Sequence, residues 1–136
     1  LAGAFDDKAV EIATLIKPVE AKEDLFNPNK PKVVISSDGN ALYFSRSPIP
    51  YLRGVSEEEW CLRHEYFNHI GLYGYRADVL EAITRLPKGI LENCESLEQL
   101  RWLENGYMIK ALKTQLESLS VDTPEDLAEL KARGLI

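Results

Sequence analysis

The sequence Ala41-Leu-Tyr-Phe-Ser-Arg-Ser-Pro-Ile-Pro50 begins as an alternating strand and ends in two prolines. Proline has no backbone N–H to donate and biases the residue before it toward extended conformations. The strand therefore ends near Arg46, and a rigid extended loop follows. A planar, permanently charged guanidinium at a strand end suits a carboxylate or phosphate ligand. The alternative is a surface arginine beside a turn, and this stretch alone leaves both interpretations open.

The residues around this stretch predict an α/β fold. Asp38-Gly39 separates the apolar runs 32–36 and 41–45, which indicates a β-hairpin. Other strands are predicted at 11–17, 65–76, 107–112 and 116–121, helices at 77–86, 96–104 and 123–133, and polar loops at 19–31 and 54–59. Strands that alternate with helices indicate a mixed sheet, to which the hairpin adds an antiparallel element.

Composition limits the class of protein. The 136 residues are enough for one domain, and 45% of them are hydrophobic. No apolar run reaches the roughly 18 residues of a membrane helix, so no membrane partner is expected. The net charge of -6 argues against a nucleic-acid partner. Cys61 and Cys94 are far apart in the sequence, which favours free thiols and a cytoplasmic location over a disulfide or metal site.

The amino terminus is unusual, because the first residue is Leu1 and an apolar strand is already predicted from Glu11. No signal peptide is visible in this stretch. We interpret it as the middle of a larger protein, with a processed or trimmed terminus as the alternative.

The longest predicted strand carries a group of chemically useful side chains. Alternation places His69, Gly71, Tyr73 and Tyr75 on one face. Gly71 and Gly74 lack side chains, so a ligand or another part of the backbone can come close. The result would be a recess floored by glycine, with the imidazole and the phenols around it, which suits a hydroxyl-rich ligand. The alternative is a set of core tyrosines around a structural histidine.

The predicted helix 96–104 opens with Ser96-Leu-Glu-Gln99, which has the pattern of a capping box. In that interpretation Ser96 caps the helix, Gln99 bonds back to the Ser96 amide, and Glu98 is favoured by the helix dipole. Glu98 and Gln99 are also good hydrogen-bond partners for sugar hydroxyls. The sequence leaves the choice open.

Asp122 lies where a predicted strand meets a predicted helix. If Thr123 caps that helix, Pro124 takes its favoured first position and Asp122 projects from the strand end. Open α/β sheets bind ligands at such ends, and a carboxylate there is a candidate Mg²⁺ ligand. The alternative is that Asp122 is the cap, with Glu125 completing the box.

Four motifs follow one another in a fixed order along the chain. They are Tyr43-Phe-Ser-Arg-Ser-Pro-Ile-Pro50, His69-Ile-Gly-Leu-Tyr-Gly-Tyr-Arg76, Glu95-Ser-Leu-Glu-Gln-Leu-Arg101 and Val121-Asp-Thr-Pro-Glu-Asp-Leu127. Four motifs in a fixed order are far more specific than one. With them the chain resembles the carboxyl-terminal half of bacterial 3-deoxy-manno-octulosonate cytidylyltransferases (CMP-KDO synthetases), from about Ile12 to near its end.

The resemblance implies a nucleotidyltransferase with a Rossmann-like, mononucleotide-binding fold and an inserted hairpin. It implies transfer of CMP from CTP to 3-deoxy-D-manno-octulosonate (KDO) for lipopolysaccharide synthesis, by a Mg²⁺-dependent cytoplasmic homodimer. Asp122 would be a metal ligand and in that sense catalytic. The residues that would line the sugar pocket are Arg46, His69, Tyr73, Glu98 and Gln99.

The resemblance makes residues 1–136 the sugar-binding and dimerisation half of a single cytidylyltransferase domain. The family's arginine- and glycine-rich phosphate loop and its Gln-Gly-Asp-Glu-Pro motif have no counterpart here. We therefore expect the amino-terminal CTP-binding half to be absent and the chain to be inactive alone. Two alternatives are a non-catalytic dimerisation fragment and a sibling that activates sialic acid, which the segments 44–50 and 95–101 fit less well.

Overall fold

The computed structural model describes residues 1–115 and 124–132. The strands in these residues are β1 (Ile12–Pro18), β2 (Lys32–Ile35), β3 (Ala41–Ser45), β4 (Phe67–Tyr75) and β5 (Ile109–Lys113). The helices are α1 (Lys22–Leu25), α2 (Trp60–Arg63), α3 (Ala77–Thr84), α4 (Ile90–Glu95), α5 (Gln99–Glu104) and α6 (Pro124–Ala132). Short 3₁₀ helices span Ala2–Asp6 and Glu57–Glu59. The strand predicted at 116–121 lies outside the described residues.

The strands form one mixed sheet in the order β3-β2-β4-β1-β5. β5 runs parallel to β1, while β1 pairs with β4, β4 with β2 and β2 with β3 in antiparallel fashion. Residues 12–16 of β1 are all buried, and this strand lies inside the sheet between β4 and β5. A strand covered on both faces is typically a continuous apolar run. The predicted mixed α/β sheet is confirmed.

The predicted hairpin is also confirmed, by the pairing of β2 with β3. Gly39 in the turn has a φ of +76°, a left-handed conformation that glycine adopts without a steric cost. The amide of Gly39 donates to the Ser36 carbonyl, and the amide of Ser36 donates to the Asn40 carbonyl. The local sequence thus fixes both the position and the direction of the hairpin.

Two hydrophobic cores hold the fold together. The larger core packs α3 and α5 against the sheet, through side chains such as Val79, Ile83 and Leu100. The smaller core joins the end of β1 to α1 and α2, and it consists of the buried Val19, Leu25, Trp60 and Tyr66 with partly buried neighbours.

The sequence predicts 19–31 and 54–59 as loops, and that prediction misses α1 and the 3₁₀ helix Glu57–Glu59. These elements are only three or four residues long, so packing rather than periodicity defines them.

The helix predicted at 96–104 begins later than expected. Ser96 has a φ of 53° and ends α4, and α5 starts at Gln99 without a side-chain cap. The predicted capping box is therefore wrong. Glu92 of α4 and Arg101 of α5 form a largely buried ion pair with N–O distances of 2.7 and 2.5 Å. The reversal at Ser96 brings these two charges together, which a reading of residues 96–104 by themselves could not show.

Candidate functional site

The site is organised by an irregularity in the pairing of β1 with β4. Thr14 pairs with Tyr73 while its neighbour Leu15 pairs with Ile70, so residues 71–72 have no partner on β1. Both inserted residues are exposed. An insertion of two residues preserves the alternation of a strand, so the side chains beyond it keep the face they would have had.

The alternation predicted for the longest strand is therefore confirmed for its three rings. His69 and Tyr73 have ring centroids 5.3 Å apart, and Tyr73 and Tyr75 are 5.8 Å apart. Trp102 of α5 meets Tyr73 edge-on at 5.0 Å, and Phe44 of β3 meets His69 at 4.9 Å. Side chains from three elements thus form one aromatic surface around the imidazole.

The two glycines of this strand do not form the floor of a recess, and that expectation is wrong. Gly71 lies in the exposed insertion, where an added Cβ would meet no atom within 4 Å. Gly74 faces the 3₁₀ helix at the amino terminus, and an added Cβ would lie 2.7 Å from the ring of Phe5. Gly74 therefore allows that ring to pack closely against β4.

His69 is held by hydrogen bonds on both ring nitrogens. Its Nε2 lies 2.9 Å from Thr14 Oγ1, and its Nδ1 lies 3.5 Å from Gln99 Nε2. The Thr14 hydroxyl donates to the Leu72 carbonyl at 2.9 Å, so its oxygen accepts the hydrogen bond from Nε2–H. The Nδ1 lone pair then accepts a long hydrogen bond from the Gln99 amide. The result is one directed chain from Gln99 through His69 and Thr14 to the insertion in β4.

The imidazole is uncharged at neutral pH. Burial lowers the pKa of His69 from 6.5 to about 4, because the charged form loses hydration. His69 therefore serves as a neutral hydrogen-bonding group. A neutral imidazole beside a buried amide favours contacts with hydroxyl groups over contacts with a full negative charge.

Two phenols next to His69 also stay uncharged. Burial raises the pKa of Tyr73, and the neighbouring Tyr75 and Glu98 raise it further. Burial and Glu98 raise the pKa of Tyr75 as well. The influence of Glu98 on both phenols places its exposed carboxylate near the aromatic surface. Protonated phenols can donate hydrogen bonds to a polar ligand.

Arg46 is anchored by backbone carbonyl groups. Its Nε donates to the Glu95 carbonyl at 2.6 Å, its Nη1 to the Pro28 carbonyl at 2.9 Å, and its Nη2 to the Ser96 carbonyl at 3.2 Å. The Glu95 carboxylate in turn accepts from the Arg46 amide and the Ser45 hydroxyl, at 2.9 and 2.6 Å. The guanidinium is therefore fixed against the turn that leads into α5.

The structure gathers the predicted side chains in two linked parts. His69, Tyr73 and Gln99 meet around the aromatic surface with Glu98 at its edge, and Arg46 joins them through the 95–96 turn. Asp122 lies outside the described residues. In the part of the chain that the structure does describe, no three His, Cys, Asp or Glu side chains cluster as metal ligands, and no helix is long and apolar enough to cross a bilayer. Cys61 and Cys94 are free thiols, as predicted.

The sequence reasoning missed two residues of this site. Thr14 is fully buried and bonds to His69, and its hydroxyl in an otherwise apolar stretch of β1 was the available signal. Glu95 fixes the backbone of Arg46 from 49 residues away along the chain. Nothing in the local pattern around Glu95 indicates that role, because only the tertiary fold brings the two residues together.

The mixed sheet and its flanking helices define an α/β protein, and comparison with known proteins gives its class, a nucleotidyltransferase fold. Residues 3–123 match the family model described as Cytidylyltransferase, so the chain belongs to that family. A solved structure of CMP:2-keto-3-deoxy-manno-octonic acid synthetase complexed with CTP aligns with a TM-score of 0.85 and 37% identity, covering 98% of this chain and 53% of that one.

Several curated relatives share one enzyme name, which is more specific than the family description. A 3-deoxy-manno-octulosonate cytidylyltransferase of Parabacteroides distasonis is 54% identical over 132 residues, which cover 94% of this chain and 53% of the relative. One of the same name from Phocaeicola vulgatus is 56% identical over 131 residues, covering 94% of this chain and 52% of the relative. The chain spans about half the length of the curated relatives it matches.

Proposed function

We propose that this chain supplies the sugar-acid-binding part of a 3-deoxy-manno-octulosonate cytidylyltransferase. The complete enzyme transfers CMP from CTP to KDO, forming CMP-KDO and pyrophosphate for lipopolysaccharide synthesis. The names and identities of the relatives support this reaction. We assign CTP binding to the part of those relatives that this chain does not match. We expect the chain alone to bind the sugar acid without turning over CTP.

One observation carries the proposal, the hydrogen-bonded chain Gln99–His69–Thr14 beside the aromatic surface. A sugar acid presents several hydroxyl groups and one carboxylate. The Gln99 amide and the phenol of Tyr73 match the hydroxyl groups, with the carboxylate of Glu98 as a further acceptor. The neutral imidazole of His69 lines the pocket and holds the Gln99 amide in place.

Arg46 is the proposed partner of the sugar carboxylate. Its contacts with other described residues use three of the five N–H donors of a guanidinium. The remaining two can form charge-assisted hydrogen bonds with a carboxylate. Since the three carbonyl contacts hold the guanidinium in place, little side-chain entropy is lost on binding.

Asp122 is proposed as one carboxylate ligand of Mg²⁺ and so as the catalytic residue of this part of the enzyme. Mg²⁺ is bound through one or two carboxylates together with substrate phosphates, so a single ligand from this chain fits its coordination chemistry. When bound, the ion neutralises charge on the phosphates.

We further propose that the enzyme is a cytoplasmic homodimer assembled through this part. Large apolar side chains on the surface, among them Tyr51, Leu62 and Ile90, support self-association.

Calorimetric titration of KDO into the 136-residue chain tests the sugar site, with sialic acid as the competing ligand. We expect selective binding of KDO, and a loss of about tenfold or more in affinity for His69→Ala, because a buried hydrogen-bonded network is broken. His64→Ala is the matched control, since it removes an exposed imidazole from the same chain. A folded sample that binds neither sugar, or an equal loss for both variants, would contradict the proposal.

A further inference from the structure

Lys32 of β2 is the most deeply buried cationic side chain in the described part of the protein, with no exposed surface. Its Nζ donates to the Asn27 carbonyl at 2.8 Å. Burial, together with repulsion from Arg46, lowers the pKa of Lys32 to about 8, and Glu95 opposes this effect. A buried ammonium is costly unless its contacts compensate. The contacts of this lysine therefore need a physical account.

The reason lies in the turn that Lys32 holds. The Asn27 carbonyl also accepts from the Lys30 amide at 3.1 Å, and the Asn27 side chain accepts from the Asn29 amide at 2.9 Å. The next carbonyl, that of Pro28, accepts from Nη1 of Arg46. Two cations, Lys32 in β2 and Arg46 just after β3, thus donate to successive carbonyl groups of one turn.

The same guanidinium continues the path to the proposed sugar site. Nε and Nη2 of Arg46 donate to the carbonyls of Glu95 and Ser96, just before α5. α5 begins with Gln99, whose amide approaches His69. A shift of the 27–28 turn would remove one of the three anchors of Arg46 and loosen its contact with the start of α5.

We infer that Lys32 is a positioning residue for Arg46: by fixing the Asn27 carbonyl it fixes the Pro28 carbonyl, and so sets the plane of the guanidinium. Lys32 itself is too deeply buried to touch a ligand. The consequence for ligand binding rests on the proposed function, whereas the consequence for Arg46 does not.

The test replaces Lys32 by methionine, which keeps the apolar stem and removes the ammonium. Lys30→Met is the matched control, since Lys30 lies in the same turn but is exposed and pairs with Asp24. The first readout is hydrogen exchange of the Arg46 Nε–H, which the Glu95 carbonyl protects. We expect exchange to accelerate about tenfold in Lys32→Met, because loss of the ammonium loosens the turn that anchors Arg46. In Lys30→Met, exchange should stay at the wild-type rate.

The second readout is KDO affinity in a double-mutant cycle. We expect Lys32→Met to weaken KDO binding about tenfold, and the double variant Lys32→Met/Arg46→Met to bind no more weakly than Arg46→Met alone. Additive losses would mean that Lys32 does not act through Arg46 and would overturn the inference. If the folded wild-type chain ignores KDO, the proposed function fails, and the exchange readout still decides the role of Lys32.

A second variant covers the case in which Lys32→Met does not fold. Asn27→Ala keeps the carbonyl but removes the side-chain acceptor that closes the turn. We expect faster exchange of the Arg46 Nε–H, by about threefold, with the fold retained. Wild-type exchange in folded Lys32→Met, or in Asn27→Ala when Lys32→Met is unfolded, would overturn the inference.

Discussion

Acidification should destabilise the protein through His69. The pKa of this imidazole is about 4 in the folded chain and 6.5 when unperturbed. Above pH 6.5 both states are neutral at this position, and His69 contributes no pH dependence. Between pH 6.5 and pH 4 the unfolded chain binds a proton that the folded chain does not, so the free energy of unfolding falls as the pH falls.

The size of the effect follows from the difference between the two pKa values. When the pH has fallen below 4, that difference lowers the free energy of unfolding by about 3 kcal/mol. Because His69 is partly exposed, this figure is an upper limit. Carboxylates also titrate in this range, so the contribution of His69 must be isolated by comparison with a variant that lacks the imidazole.

Urea unfolding, followed by tryptophan fluorescence at intervals from pH 7 to pH 4, measures this contribution. The stability of the wild type relative to His69→Gln should fall by up to about 3 kcal/mol over that range. His64→Gln, which removes the exposed imidazole, should keep the acid sensitivity of the wild type. Parallel pH curves for wild type and His69→Gln would show that the imidazole is not desolvated, and would refute the assignment of a neutral, buried hydrogen-bonding role.

Two further predictions concern stability. Arg101→Met leaves the buried carboxylate of α4 unpaired and should lower the free energy of unfolding by about 3 kcal/mol, whereas Arg85→Met breaks an exposed pair and should cost less than about 0.5 kcal/mol. Equal losses in chemical denaturation would contradict the buried pair. Gly74→Ala should cost about 1–2 kcal/mol because the new methyl group meets the Phe5 ring, while Gly71→Ala in open space should be nearly neutral. Recovery of stability in Gly74→Ala/Phe5→Ala would confirm the clash, and a neutral Gly74→Ala would exclude it.

The hairpin shows what local sequence determines. Asp-Gly between two apolar runs predicts a turn with a left-handed residue, and Gly39 adopts that conformation. The buried residues 12–16 likewise form an interior strand, as expected of a short apolar run bounded by proline. These elements were predictable because the interactions that define them lie within a few residues.

The helices α1 and α4 show where local pattern fails. α1 has four residues and α4 has six, too short for a hydrophobic period to be distinguished from chance. Ser96 has the pattern of a cap but serves as the left-handed end of α4. That role shows only in the packing of α4 against α5, where Arg101 pairs with Glu92.

The sequence by itself determined the mixed α/β sheet, the alternating face that carries His69 and Tyr73, and a family resemblance that comparison confirms. Tertiary structure alone decided that Thr14 and Gln99 meet the same imidazole from 55 and 30 residues away. It also decided that Arg46 is held by backbone carbonyls. Periodicity reports which face of an element is buried, whereas hydrogen-bond partners across elements depend on strand register and helix placement, which the whole chain sets together.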